Sequence, residues 1–376
     1  MNDIKIPFCR PYVNEQEVER VADTIRNGWL TTGKVTQEVE EKIAKYTGAK
    51  YCVLLTSCTA ALHLSLEYLK RFKVGKNFKA YVPSLTFAAT ATEVVNSGGK
   101  VIFGDVDKDT MCLNPNTEKD FDVAIPVHLC GVKAKTDYDY GKYVVEDSAH
   151  LIEKDQCKNN PNLVCYSFYA TKNLTMGEGG AICTNDEQAY NWLKQARHHG
   201  ISKGGWQRYQ LLGKWKYDMD FIGWKYNPSD ILSTLLSINL DKIDEIHAER
   251  QRCVDLYNQE LGYNNKGLHL YPIMVQERDA FMEMMSEKGI QCSVHFLPLH
   301  RMNAFRSEIY DSDSLENTNY LGDRLVSLPL YPGLTNDEIK FICQTIKETK
   351  LLLPFVGSDL KAYKDLSDYE KIHSKK

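Results

Sequence analysis

YSFYATKNLTMGEGGAICTN, residues 166–185, is the stretch from which the fold and the chemistry of this chain can be read. An apolar run ends at Phe168, Lys172 follows among hydroxyls, and a Gly-Glu-Gly-Gly turn leads into a second apolar run over 180–184. Most lysines are solvated surface charges, and one lysine alone means little. Here Gly177, Gly179 and Gly180 let the backbone turn tightly or pass close to a ligand. Ser167 and Thr171 add hydroxyls. An amine beside such backbone suits a lysine that forms an imine.

Three other segments share the pattern of an apolar strand that ends in polar residues. In VVEDSAH, residues 144–150, Asp147 follows a strand directly. Ligands of parallel α/β sheets bind at the carboxyl ends of strands. A carboxylate there can hold a heteroaromatic nitrogen protonated, or simply cap a turn. TSCTAAL, residues 56–62, opens a helical pattern; its free N–H groups suit a phosphate, although Ser and Thr cap most helices. PSLTF, residues 83–87, ends on Phe87, which could lie on a ring or belong to the core.

Outward from these segments, strands are expected over 51–55, 79–82, 100–103, 123–127, 143–145, 163–168 and 180–184, and helices over 15–26, 35–46, 59–71, 87–96 and 187–197. Their alternation means βαβ units and a mainly parallel sheet covered on both faces. After 227 the pattern changes to a long helix over 229–261, strands over 268–274 and 291–296, and helices over 278–288 and 336–352. The division expected is a large α/β unit over 1–226, a smaller α+β unit over 227–352, and a polar tail over 353–376.

The bulk numbers exclude several classes. With 376 residues, 43% hydrophobic and 26% charged, the chain is an ordinary globular protein long enough for more than one unit. A net charge of -4 argues against nucleic acid or an anionic membrane as partner. No spanning apolar run and no apolar leader segment is seen, so a cytoplasmic protein is expected. Eleven cysteines at irregular spacing predict buried thiols, not a disulfide framework, and no metal-ligand spacing is present.

The combination resembles the sugar aminotransferases of the DegT/DnrJ/EryC1/StrS family. The motifs run from IPFCRP and GWLTTG (28–33) through TSCTAALHL, VPSLTF, GDVD, VEDSAH, SFYATKN, GEGG, HHGISK and KYN to GIQCSVHF and SLPLYPGLT. The resemblance implies an α/β fold-type-I architecture: a mainly parallel seven-stranded sheet flanked by helices, with a smaller C-terminal α+β domain. It also implies pyridoxal 5'-phosphate, in its pyridoxamine form for the second half-reaction. Lys172 would carry the cofactor and move protons, Asp147 would face the ring nitrogen, and Phe87 would stack on the ring. Cys58, Thr59 and Ser167 would hold the phosphate, and His150 would lie near the ring oxygen. Asn227 would reach the cofactor of a neighbouring subunit, in a homodimer with shared sites. Trp29, Leu30, Thr31, Thr32 and His295 would belong to the sugar-nucleotide pocket. The expected reaction moves an amino group from an amino acid, L-glutamate by family habit, to C4 of a nucleotide-linked 4-keto-6-deoxy sugar, for surface glycans such as O-antigen. Amination at C3, or a cofactor-binding relative without transferase activity, stays open.

Some features depart from the family. Cys58 stands where glycine is usual, and LIEKDQCKNNPNLVCY replaces a glycine-bearing hairpin after His150. The stretches 131–143 and 262–274 are short. Lys172 itself is present, which disfavours the relatives that carry histidine there and dehydrate their substrate.

Overall fold

The computed structural model describes residues 4–13, 15–137, 142–202 and 217–354. The expected tail therefore lies outside the described residues from 355 on, as does Lys203 of HHGISK.

Helices α1 (Glu15–Arg26) and α2 (Lys34–Thr47) precede strand β1 (Tyr51–Leu55). Then come α3 (Cys58–Leu69), β2 (Lys79–Pro83), α4 (Ala89–Asn96), β3 (Lys100–Gly104), β4 (Val123–Ala124), β5 (Tyr143–Ser148), β6 (Leu163–Ser167), β7 (Gly180–Thr184) and α5 (Glu187–Ala196). The second half holds α6 (Asp230–Asp241), α7 (Ile243–Leu261), β8 (Tyr271–Val275), α8 (Arg278–Glu287), β9 (Ile309–Ser312), α9 (Glu316–Arg324), β10 (Leu325–Leu328), α10 (Asn336–Thr349) and β11 (Leu352–Leu353).

The seven strands expected before residue 227 all form, in the order β1-β7-β6-β5-β4-β2-β3, and β9 adds an eighth at the β3 edge. The pairings are parallel except that β7 runs antiparallel to both β1 and β6. The period of two explains why these strands are apolar throughout. In β1, Val53 and Leu55 join the core on one face, with α3 and α5, while Cys52 and Leu54 join the other, with α2 and α6. β6 divides in the same way, Cys165 to one core and Val164 to the other. A third core gathers Tyr257 of α7, Tyr271 and Ile273 of β8, Phe281 of α8 and Ile342 of α10 around an antiparallel sheet β10-β8-β11.

The structure departs from the expected elements in four places. The helix expected over 229–261 is two, because Lys242 leaves helical geometry at φ -110° and ψ 13°. The strand expected over 291–296 does not form; this segment makes only the isolated bridge Ser293–Ser327. β9, α9 and β10 were not foreseen, since 309–312 is half polar and its partner β3 is some two hundred residues away in sequence. The helix expected from 87 starts at Ala89, which leaves Phe87 outside it. α6 packs on α1 and α2, whereas α7 packs on α10. All eleven cysteines are free thiols. Among the described residues no helix is long and apolar enough to cross a membrane, and no side-chain group could hold a metal ion.

Candidate active site

A cavity of about 470 Å³ opens at the carboxyl ends of β5 and β6, beside the N-terminus of α3. Its walls include Lys172, Asp147, Phe87, Cys58, Thr59, Ser167, His150 and His295. Eight of the thirteen residues singled out from sequence are thus brought together from five separate segments.

Lys172 sits on the connection between β6 and β7. Phe168 N–H donates to Gly179 O at 2.8 Å and Met176 N–H to Phe168 O at 2.9 Å, which closes this connection over the end of the sheet. The glycines are required by contact. A Cβ on Gly180 would lie 2.3 Å from the Ser57 carbonyl carbon and 2.4 Å from Cys58 N, so β7 can start against the N-terminus of α3 only without a side chain. Gly177 has φ +80°, which disfavours other residues. Burial holds the Lys172 ammonium down, from 10.5 to about 8, against the opposing pull of Cys58 and Asp147.

Asp147 is buried at the end of β5. Thr90 Oγ1 donates to its Oδ2 at 2.8 Å and Ala149 N–H to its Oδ1 at 3.2 Å. The second of these is a turn contact of the kind a capping aspartate makes, and it leaves the carboxylate on the cavity wall. Burial raises its pKa, while Thr90, Ala149 and the Lys172 charge pull the other way. α3 begins at Cys58, with Ser57 as its cap accepting from Ala60 N–H at 3.0 Å. The first N–H groups of this twelve-residue helix lie at the cavity wall.

Phe87 is 58% exposed, 5.8 Å from the Phe296 ring, so it is no core phenylalanine. His150 is buried, and the Cys130 N–H donates to its Nδ1 at 3.2 Å. Burial keeps this imidazole neutral, so its proton is on Nε2. His295 contacts Ser327 Oγ through Nδ1 at 3.0 Å and stacks on Phe8 at 5.3 Å. Burial lowers it to about 4.

Five expected residues are not brought to this cavity. Trp29, Leu30, Thr31 and Thr32 form a loop docked elsewhere on the same chain, where Gly33 N–H donates to Asp230 Oδ1 at 2.8 Å. Asn227 Nδ2 donates to Thr32 Oγ1 at 2.7 Å, and Thr32 Oγ1 donates to Pro228 O. Ser229, not Asn227, caps α6. The sequence reading missed Thr90, which fixes Asp147, and His269, whose Nε2 is 3.5 Å from Lys172 Nζ. Thr90 could have been sought one helical turn past Thr86. His269 lies in one of the two shortened stretches, where no motif marked it.

Residues 11–347 match the model of the DegT/DnrJ/EryC1/StrS aminotransferase family. The chain is 33% identical to uncharacterized protein MJ1066 of Methanocaldococcus jannaschii, over 91% of this chain and 97% of that one. It is 29% identical to the spore coat polysaccharide biosynthesis protein SpsC of Bacillus subtilis, over 91% and 96%. Among solved structures, the putative sugar aminotransferase Spr1654 of Streptococcus pneumoniae in its PMP form superposes with a TM-score of 0.81 at 26% identity, covering 92% of this chain and 98% of that one. The chain belongs to the DegT/DnrJ/EryC1/StrS aminotransferase family, a family of pyridoxal-phosphate-dependent sugar aminotransferases.

Proposed function

We propose that this member of the family moves an amino group from an amino acid, L-glutamate, to C4 of a nucleotide-linked 4-keto-6-deoxy sugar, in the cytosol, for surface glycans. The observation that carries the catalytic reading is the meeting of Lys172 and Asp147 in one cavity with the helix N-terminus at Cys58. The sugar reading is supported by two relatives, the polysaccharide biosynthesis protein of Bacillus subtilis and the putative sugar aminotransferase of Streptococcus pneumoniae.

The residues present fit pyridoxal phosphate. The N–H groups at Cys58 and Thr59 and the hydroxyls of Thr59 and Ser167 would take the phosphate; a backbone N–H serves whether the side chain is glycine or cysteine. Asp147, held by Thr90 and Ala149, would face the ring nitrogen, and half-exposed Phe87 would cover the ring. His150, with its proton on Nε2, would donate to the ring oxygen. When bound, the cofactor supplies an electron-accepting ring that stabilises negative charge on carbon. Lys172 would hold the cofactor, release it to the amino donor, and then take up and return protons at Nζ. Its lowered pKa leaves a usable fraction of neutral amine near neutral pH.

In our reading two copies share their sites. The Asn227–Thr32 contact would present Asn227 and the Trp29–Leu30–Thr31–Thr32 loop to the cavity of the second copy, because they lie away from their own. The deciding assay incubates the enzyme with L-glutamate and a panel of UDP-, dTDP- and GDP-linked 3-keto and 4-keto sugars. A 4-amino product is expected. Product only from 3-keto sugars would move the reaction to C3, and no product from any sugar would end the transferase reading.

A further inference from the structure

We propose that His269 is a positioning residue for Lys172: a neutral imidazole that accepts a hydrogen bond from Nζ and so turns the lone pair of the neutral amine into the cavity. This rests on Lys172 being the cofactor lysine.

Four observations carry the inference. His269 is buried, on the cavity wall, with Nε2 3.5 Å from Lys172 Nζ. Its Nδ1 lies 3.3 Å from Asn173 Oδ1. An amide oxygen can only accept, so Nδ1 carries the proton and Nε2 is left bare toward the lysine. Lys172 and its neighbour Asn173 therefore address opposite nitrogens of one ring.

Second, the segment is locked in place. His269 N–H donates to Cys130 O at 3.2 Å, and the Arg250 guanidinium donates to the carbonyls of Leu268, His269 and Leu330 at 3.2, 3.4 and 3.0 Å. Third, two glycines allow this close approach. A Cβ on Gly267 would sit 2.3 Å from Cys130 O, and one on Gly131 would sit 3.0 Å from Leu268 N and 3.2 Å from His269 N. The same turn orients His150 through the Cys130 N–H, so one turn sets the tautomer of one histidine and the seat of the other.

Fourth, burial, with the cations of Lys172 and Arg250 nearby, keeps His269 neutral. Its ring packs 4.3 Å from His150, and Lys172, Arg250 and His295 surround it with no carboxylate among the causes of its shift. Burial is the largest cause, and all of them lower its pKa. An imidazole that cannot gain a proton in this setting acts on Lys172 only as an acceptor. Nothing is transferred to it; the proton stays on Nζ or goes to the reacting atoms.

The test uses the full chain stripped of cofactor. Lys172 is pulse-labelled with formaldehyde and cyanoborohydride between pH 6 and 10, and its peptide is quantified by mass spectrometry. The wild-type midpoint is expected at about 8. His269→Phe keeps an aromatic ring but removes the acceptor, which holds the ammonium more tightly than the amine, so the midpoint should fall by about one pH unit. His269→Gln can place an oxygen near the Nε2 position and should restore the midpoint to within a few tenths of a unit. A purely structural role predicts equal effects of both variants, and that result, or an unmoved or raised midpoint in folded His269→Phe, overturns the proposal. If His269→Phe does not fold, Asn173→Ala decides: it frees the tautomer and should move the midpoint the same way, and no movement overturns the proposal. Borohydride fixation of cofactor on a lysine other than Lys172 would instead overturn the underlying assignment, whatever the midpoints show.

Discussion

Replacing Lys172 with methionine should make the cofactor-free protein more stable at neutral pH while abolishing turnover. Burial lowers this ammonium from 10.5 to about 8. The drop corresponds to roughly 3 kcal/mol of native-state penalty at ~1.4 kcal/mol per pH unit. The sign follows from proton counts. The unfolded chain holds the lysine proton up to pH 10.5 and the native state releases it near 8, so stability rises with pH between these values. Below pH 8 the penalty is complete. Methionine matches the length of the lysine stem and carries no charge. It leaves His269 Nε2 without its contact at 3.5 Å, which costs about 1 kcal/mol. The net gain at pH 7 is about 2 kcal/mol.

Urea denaturation of the cofactor-free forms reads this directly. For a chain of this size a slope of about 4 kcal/mol per molar gives a midpoint shift of roughly 0.5 M at pH 7. At pH 10 the lysine penalty has shrunk to less than ~1 kcal/mol, and the shift should be close to zero. A Lys172→Met protein less stable than wild type at pH 7, or a gain of equal size at both pH values, would refute the reasoning. The first would mean that packing around Nζ outweighs charge burial, and the second that the gain is not electrostatic.

Asp147→Asn should fold with near-normal stability, because Thr90 can turn its hydroxyl to Thr86 Oγ1, 2.9 Å away, and accept from the new amide. Turnover should nevertheless fall by at least about a hundredfold for want of a negative charge at the ring nitrogen, and near-normal rates in a coupled glutamate assay would remove Asp147 from that role. Gly180→Ala must push backbone away from Ser57 and Cys58, so it should cost ~2 kcal/mol or more in denaturation and weaken cofactor affinity at least about tenfold by absorbance titration; an unchanged titration would separate β7 from the phosphate site. If two copies share their sites as proposed, mixing inactive Lys172→Ala with Asn227→Ala should restore part of the activity after subunit exchange, since one site of a mixed dimer would be intact. No recovery, despite mixed dimers seen by native mass spectrometry, would confine Asn227 to its own chain.

What could be read from sequence follows a physical division. Strands buried on both faces announce themselves as unbroken apolar runs, and β1, β2, β3 and β6 are legible at nearly their observed bounds. Residues at strand ends, Asp147 and Ser167, could be placed because such a sheet puts its ligands there. What failed depends on partners distant in sequence. β9 owes its conformation to β3, and the ring of His269 is placed by the turn at Cys130 and the carbonyl bonds of Arg250. No local pattern of apolar and polar residues encodes either. The segment 291–296 failed in the opposite sense: its alternation is that of a strand, yet Phe296 and His295 face the cavity and each other instead of a sheet neighbour.

The reversal of β7 is also encoded locally, and the position of Lys172 depends on it. Residues 168–179 connect β6 to β7. A parallel partner would require the chain to return to the far end of the sheet, usually through a helix, in barely the minimum length. This connection has no helical period and carries Gly177 and Gly179. Such a segment favours folding back, in keeping with β7 running antiparallel and the connection staying over the carboxyl ends of β5 and β6. A short connection held at both ends, by Phe168 to Gly179 and by Gly180 against α3, gives Lys172 little room. The lysine is therefore delivered beside Asp147 by chain length and glycine placement, before any ligand is considered.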